Sequence, residues 1–440
     1  MKRLSIVVLL VLILLGTASA SLVYFGDTPD VPEAVIPEEF LVTVSAGLSH
    51  SMAVKTDGGL WAWGLIFYGP LGESVATDWH TFGTIMDNVT AISAGRSYSM
   101  AVRADGGLWA WGYNLYGQLG DTTFENKYSP VKIMDGVAAV AAGYYYSLAI
   151  KTDGSLWAWG NNKYGQLGNG TDENYYYPVE IMDNVAAISA GGSHSLALKT
   201  DGSLWAWGYN AYGQLGDGSE ENKYSPVKIM DDVAAISAGT YHSLALTTDG
   251  GLWAWGYNED GRLGDGTSTD RHDPAKIMDD CAAIAAGYFH SIAVKTDGGL
   301  WAWGNNKHGQ LGDGTIAYRY SPVKIMDDVV TACAGSAYTM AVKTDGGLWA
   351  WGSNEYGQLG DGTVTDKHEP VKITDGIALP QGITILPAEI IPPTAAEKPS
   401  GWAEADVATA ISAGLVPRAL QTGYKTGQSI VAILRLTKTI

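Results

Sequence analysis

The decapeptide "KTDGGLWAWG" at residues 55–64 returns, nearly unchanged, at 103–112, 151–160, 199–208, 247–256, 295–304 and 343–352. Seven copies at a constant spacing of 48 residues leave little freedom for the fold, because each copy must form the same local unit and bury its apolar faces against its neighbours. The copy beginning at Val185 holds four short apolar runs, "VAAIS", "SLALK", "LWAWG" and "PVKIM". Each has the length and residue types of a β-strand. Thr-Asp-Gly between the second and third runs is a hairpin signal, and Asp-Asn, Asp-Asp or Asp-Gly leads from the fourth run into the next copy. Gly191 marks the bend between the first two runs, and "GYNAYGQLGDGSEENKYS" is the one long connection.

Four antiparallel strands repeated seven times predict an all-β protein, a seven-bladed β-propeller of four-stranded antiparallel blades. The paired tryptophans then have a structural reading. Trp61 and Trp63 stand at i and i+2, so both point to one face of their strand. The same holds for Trp109 and Trp111, Trp157 and Trp159, Trp205 and Trp207, Trp253 and Trp255, Trp301 and Trp303, and Trp349 and Trp351. Fourteen exposed indoles would make the chain insoluble. They are expected in the core between blades, where each removes about 150–250 Å² from water.

The stretch "SAGGSHSLALKTDGSLWAWGYNAYGQLGDG" resembles the repeat of the regulator of chromosome condensation family. It carries an A-G-x-x-H-S bend, an x-D-G hairpin and a W-G-x-N-x-x-G-Q-L-G loop. The resemblance covers residues 40–376 and implies a seven-bladed ring with no blade missing. The family's guanine-nucleotide exchange and nucleosome binding transfer poorly. The constant spacing leaves no inserted wedge, a signal-like leader stands where the family has a basic tail, and the chain's net charge is −19. Such a chain is expected to avoid nucleic acid and anionic membranes.

The flanks read differently. Lys2 and Arg3 precede an apolar run from Leu4 to Leu15, and Ala18-Ser19-Ala20 offers a cleavage site, so residues 1–20 have the layout of a secretory signal. The run would reach about 18 Å as a helix, short of a hydrocarbon core of about 30 Å, so no stable membrane span is expected after cleavage. The expected location is secreted or cell-envelope associated. Residues 21–39 form an N-terminal linker and 377–399 a Pro-rich one. Residues 400–440 predict a short C-terminal helical segment: Ser400 is the cap, Ala403, Val407 and Ile411 an apolar stripe, and Gly414 and Pro417 the stops. This segment loosely resembles a truncated S-layer homology module, which implies wall anchoring in an exported, bacterial-type protein. Cys281 aligns with Val329, four residues before Cys333. That is about 13 Å along a strand, where a disulfide needs about 7 Å. Both thiols are expected as small buried hydrophobes.

Chemistry-bearing residues occur as repeat columns rather than as one constellation. His50, His194, His242 and His290 share a position with Tyr98, Tyr146 and Tyr338, so a metal site drawn from this column would lose three of its seven members to tyrosine. A structural role is expected, with no metal and no cofactor. The Asp-rich turns, such as Asp57 and Asp87, need no calcium. No serine-nucleophile motif, H-E-x-x-H or Walker loop occurs, and no catalytic residue is assigned.

In a meander the A-G bends and the long connections share one face of the ring, which is where the copies differ. After the bend stand Leu48, Arg96, Tyr144, Gly192, Thr240, Tyr288 and Ser336. In the long connections one column reads Trp79, Lys127, Tyr175, Lys223, Arg271, Arg319 and Lys367. The next reads His80, Tyr128, Tyr176, Tyr224, His272, Tyr320 and His368. Cations beside flat amphipathic rings would suit an acidic protein or an anionic glycan. The alternative for the aromatic column is packing beneath its own loop. The expectation is an exported, monomeric, non-enzymatic binding propeller that recognises a protein or an envelope glycan. The rival is a propeller lyase or hydrolase acting on a glycan or lactone, with its site at the axis or on Glu73 and His80 of the divergent first copy.

Overall fold

The structure, a computed structural model, describes residues 44–379 apart from 66–68, 70 and 72–82. The expected leader, the N-terminal linker and the C-terminal helical segment lie outside the described residues, as do Glu73, Trp79 and His80. Every repeat forms its own four-stranded antiparallel sheet in simple meander order, and seven such sheets make the ring. Blade 1 comprises Val44–Ala46, His50–Val54, Leu60–Gly64 and Gly83–Met86. Blade 4 shows the full form, with Val185–Ala190, His194–Lys199, Leu204–Gly208 and Lys223–Met230.

The first strands of neighbouring blades touch around the axis, including those of blades 1 and 7. Their composition explains this: alanine and serine dominate "VAAISA", and small side chains let seven strands converge. The fourth strands form the rim, with exposed and half-buried residues and none fully buried.

Between blades, Trp63, Trp111, Trp159, Trp207, Trp255, Trp303 and Trp351 are buried to 1% exposure or less. The first tryptophan of each pair faces the same interface but is half-buried, as Trp205 is against Ile181 and Met182 of the preceding blade. It lies nearer the hairpin end of its strand, where in blades 1, 3, 4, 6 and 7 a lysine covers its outer face; Lys151 Nζ stands 4.2 Å from the Trp157 ring. The expected double layer of buried indoles is therefore one buried ring and one half-buried ring per blade.

Hydrogen bonds reinforce each junction. The carbonyl of Gln166 accepts from Trp207 Nε1 at 2.9 Å and from Ser195 Oγ at 2.7 Å, both in the next blade. The histidine–tyrosine column extends the linkage. His50, His194, His242 and His290 reach Ser99, Ser243, Ser291 and Thr339 at 2.8–3.0 Å. Tyr98, Tyr146 and Tyr338 reach Ser147, Ser195 and Ser51 at 2.9–3.1 Å. Together the seven links run from blade to blade and return to the start, so this column is a structural circuit. The glycine of the A-G bend makes room for it: a Cβ on Gly191 would stand 2.5 Å from His194 Cε1 and 2.4 Å from the Gly239 carbonyl.

Ring closure has a further element. Ile377, just past the last strand, pairs with Lys55. This is the place that Val89 takes against Arg103 in blade 2. Ala378 N donates to Val54 O at 3.2 Å. The chain thus begins an eighth repeat and lays it on the first blade. Cys281 and Cys333 are free, buried thiols, and burial pushes that of Cys281 up to about 12.

Candidate binding face

Each long connection of blades 2 to 7 is organised by one asparagine. Asn210 is buried; its Oδ1 accepts from Leu215 N at 2.9 Å, while Nδ2 donates to Asp217 Oδ1 at 3.0 Å and to Ser219 O at 2.9 Å. The same aspartate position holds the cationic column. Lys127 pairs with Asp121 at 3.2 Å, Lys223 with Asp217 at 3.2 Å, Arg271 with Asp265 at 2.7 Å, Arg319 with Asp313 at 2.5 Å and Lys367 with Asp361 at 3.1 Å. Partial burial works against ionisation of these carboxyls. Hydrogen bonds from the neighbouring Thr or Ser and from the cation outweigh it and hold them below the usual range. Blade 3 makes the coupling plain: there the acid is Asn169 and the cation is Tyr175, both neutral.

The aromatic column bridges blades. Tyr176, Tyr224, His272, Tyr320 and His368 lie over the loop glycines Gly117, Gly165, Gly213, Gly261 and Gly309 of the preceding blade, and Tyr128 over Gly69. A Cβ on Gly165 would come within 2.8 Å of Tyr224 Cδ1. Backbone bonds accompany the contact, such as Gly170 N to Tyr224 O at 2.8 Å. The outer faces of Tyr128, Tyr176, Tyr224 and Tyr320 remain exposed. The aromatic side chains therefore cover the neighbouring loop rather than their own.

A second group lies inside these columns, around the mouth of the axis. Tyr113, Tyr116 and Tyr145 cluster across blades 2 and 3, with Tyr116 and Tyr145 centroids 4.8 Å apart. Tyr164, Tyr209, Tyr212, Tyr241 and Tyr257 continue through blades 3 to 5 at 4.7–6.3 Å. At the centre Tyr144 packs on Tyr288 at 4.8 Å, and its hydroxyl meets Thr240 Oγ1 at 2.9 Å, two blades away. The space that these two tyrosines help to enclose is ≈ 10 Å³, the room of one water.

Two arginines enter this field. Arg262 replaces the usual glutamine and is buried. It donates to Asp260 Oδ2 at 2.7 Å and to Tyr288 O at 2.9 Å, and stacks on Tyr257. Arg96 is half-buried, with its guanidinium carbon 5.4 Å from the Tyr144 ring and 5.1 Å from Tyr145. Sequence reading put Arg96, Tyr144 and Tyr288 on the variable face but missed most of the belt. Its signal was the position after each Trp-Gly, where tyrosine alternates with leucine, asparagine and serine inside an otherwise uniform repeat.

On the opposite face the aspartates serve their own turns. Gly107 N donates to Asp105 Oδ1 at 2.9 Å, and Lys132 pairs with Asp135 at 2.7 Å. Among the described residues no three His, Cys, Asp or Glu side chains converge as metal ligands, and no helix is long and apolar enough to cross a membrane.

The RCC1-like domain family model matches residues 15–278 and 182–390. No curated protein matches the sequence. Among solved structures, human WBSCR16 superposes with a TM-score of 0.66 at 24% identity, covering 71% of this chain and 93% of that one. Prp20p from Saccharomyces cerevisiae, whose structure was described with its binding to Gsp1p and histones, gives 0.62 at 22% identity, covering 68% and 81%. The same yeast protein bound to Kap60 gives 0.65 at 20%, covering 80% and 90%. These likenesses show the fold.

Proposed function

This chain belongs to the RCC1-like domain family, and on that premise we propose that it is an exported binding protein whose long-connection face grips a protein partner at the cell envelope. The observation that carries this reading is the tyrosine belt of blades 2 to 5. Tyrosine with serine, glycine and asparagine is the composition of surfaces that recognise proteins, since a rigid two-torsion side chain supplies contact area and a hydroxyl at little entropic cost. The blades hold these rings in fixed register. Export rests on the leader-like residues 1–20, and wall attachment on the tail from 400 to 440.

The axial enzyme reading finds little support in the small cavity under Tyr144 and Tyr288, which alanines and glycines complete and no carboxylate, histidine or cysteine lines. An envelope glycan is the competing partner class. The test is affinity capture from a cell-surface fraction, comparing the parent protein with a Tyr145→Ser, Tyr212→Ser, Tyr241→Ser variant of unchanged melting temperature. The parent should retain a defined protein that the variant loses. Equal capture by both would sink the assignment, and capture abolished by glycosidase treatment would turn it to a glycan. For export, terminal sequencing of protein recovered from the medium or envelope should begin at Ser21.

A further inference from the structure

We infer that the partner docks a carboxylate side chain on Arg96 beside the mouth of the ring axis. This rests on the protein-binding reading above and specifies the chemistry of the partner's anchor.

Arg96 is singular among the arginines described on this face. Arg271 and Arg319 are held by the aspartates of their own loops, and the exposed Lys163 and Lys307 carry compact ammonium charges rather than a planar fork. Arg262 is closed off by Asp260 and the Tyr288 carbonyl. Among the described residues Arg96 meets no carboxylate; its described neighbours are Tyr144 and Tyr145, reached through the aromatic faces. Among the described residues no acceptor takes the guanidinium N–H groups, and those are the edges that match a carboxylate in a two-pronged contact. Tyr144 is held by Tyr288 and Thr240, and Tyr145 by Tyr113 and Tyr116, so the arginine rests on rings that are already fixed. A pre-oriented arginine framed by tyrosines is the arrangement that dominates protein interfaces energetically.

Charge supports the choice of an acidic anchor. In a chain of net charge −19, an unneutralised cation at the centre of the variable face is the complement of a local acid. The general negative field repels acids that bring no further contact. Surface relief supports a protein over a uronate polymer. Tyr144 and Tyr145 stand at 73° and Tyr116 and Tyr145 at 39°, a knobbed surface rather than a flat shelf for sugar rings.

The test uses the intact protein and two probes: a phage-displayed random peptide library and soluble alginate. Enriched peptides should carry Asp or Glu. A synthetic copy should bind Arg96→Gln at least about tenfold more weakly than the parent, as expected when one partner of a charged contact is removed. Changing the peptide's acid to its amide should cost the same and nothing more in Arg96→Gln, which identifies the pair by a double-mutant cycle. Tyr212→Ser serves as the belt variant, and melting temperatures confirm that both variants fold.

Peptides lacking an acid, or binding Arg96→Gln as well as the parent, overturn the inference; if Tyr212→Ser still weakens them, the protein-binding reading survives. Peptides indifferent to both variants, or no enrichment at all, overturn both. Alginate bound through Arg96 more tightly than any peptide overturns the proteinaceous anchor.

Discussion

Trp207 and Trp205 occupy one interface but carry unequal parts of it. Trp207 is fully buried, donates to the Gln166 carbonyl, and lies so close to the preceding blade that a Cβ on Gly168 would stand 2.7 Å from its Nε1. Trp205 is half-buried and bonded to Ser203 Oγ at 3.0 Å. Trp207→Ala should cost about 3–5 kcal/mol, and Trp205→Ala about half of that, since only part of its ring leaves water. Urea unfolding measures both, and a larger loss at Trp205 would refute the division. The histidines make a separate prediction. Burial lowers His50 to about 4 and His194 and His290 to about 3. His242 is also well below its ordinary value, through burial and then the charge of Arg262. Below pH 6.5 the unfolded chain takes up protons that these folded rings refuse. Stability is therefore complete above pH 6.5 and falls as pH drops toward 3–4, by about 1.4 kcal/mol per pH unit for each histidine. His194→Tyr places at blade 4 the residue that Tyr98, Tyr146 and Tyr338 already use for the same link. It should keep the fold while removing one of the four contributions, read as a shallower acid limb in stability against pH.

At the level of strands, the seam between blades 7 and 1 shows what the sequence reveals and what it hides. The four-strand unit, its hairpins and its bends are legible because apolar runs alternate with Asp-Gly and Ala-Gly punctuation seven times. The closing contact is not, because "DGIALP" at 375–380 has drifted from the "DNVAAI" of other junctions and reads as the start of a linker. Only the geometry shows Ile377 N donating to Gly346 O at 3.2 Å, the bond that Val329 N makes to Gly298 O at 3.0 Å one junction earlier. Ile377 is 1% exposed and packs with Trp63 and Val342 across the seam. Ile377→Asp puts an unpaired carboxylate into that contact and should lower stability by about 3–5 kcal/mol. The measurement is thermal unfolding beside Val364→Asp, an exposed control expected to stay within about 0.5 kcal/mol. Equal effects would mean that the extra residue does not close the ring.

Across the whole molecule, the repeat that makes the fold legible also obscures the site. The cationic and aromatic columns stand out in sequence because they are periodic, and the structure gives periodicity a repeated structural duty: Lys223 locks its own loop, and Tyr224 covers the one before. The tyrosine belt is lopsided, filling blades 2 to 5 and fading at Asn305 and Ser353. Which columns meet at the axis depends on the curvature of the ring rather than on spacing along the chain. That curvature is set by contacts with no slack. The buried indoles of blades 3 to 7 each sit on a glycine of the preceding blade, and the seven histidine and tyrosine links return to Ser51. Removing residues 185–232, one whole repeat, preserves every local signal but demands a wider angle at each of six junctions. The shortened chain should fail to close and bury its open apolar faces against other copies. Light scattering after size exclusion should then find assemblies larger than the parent's, with a lower and broader melting transition. A six-bladed monomer that melts like the parent would show that the indole wedges yield, and that blade number here is a matter of chain length alone.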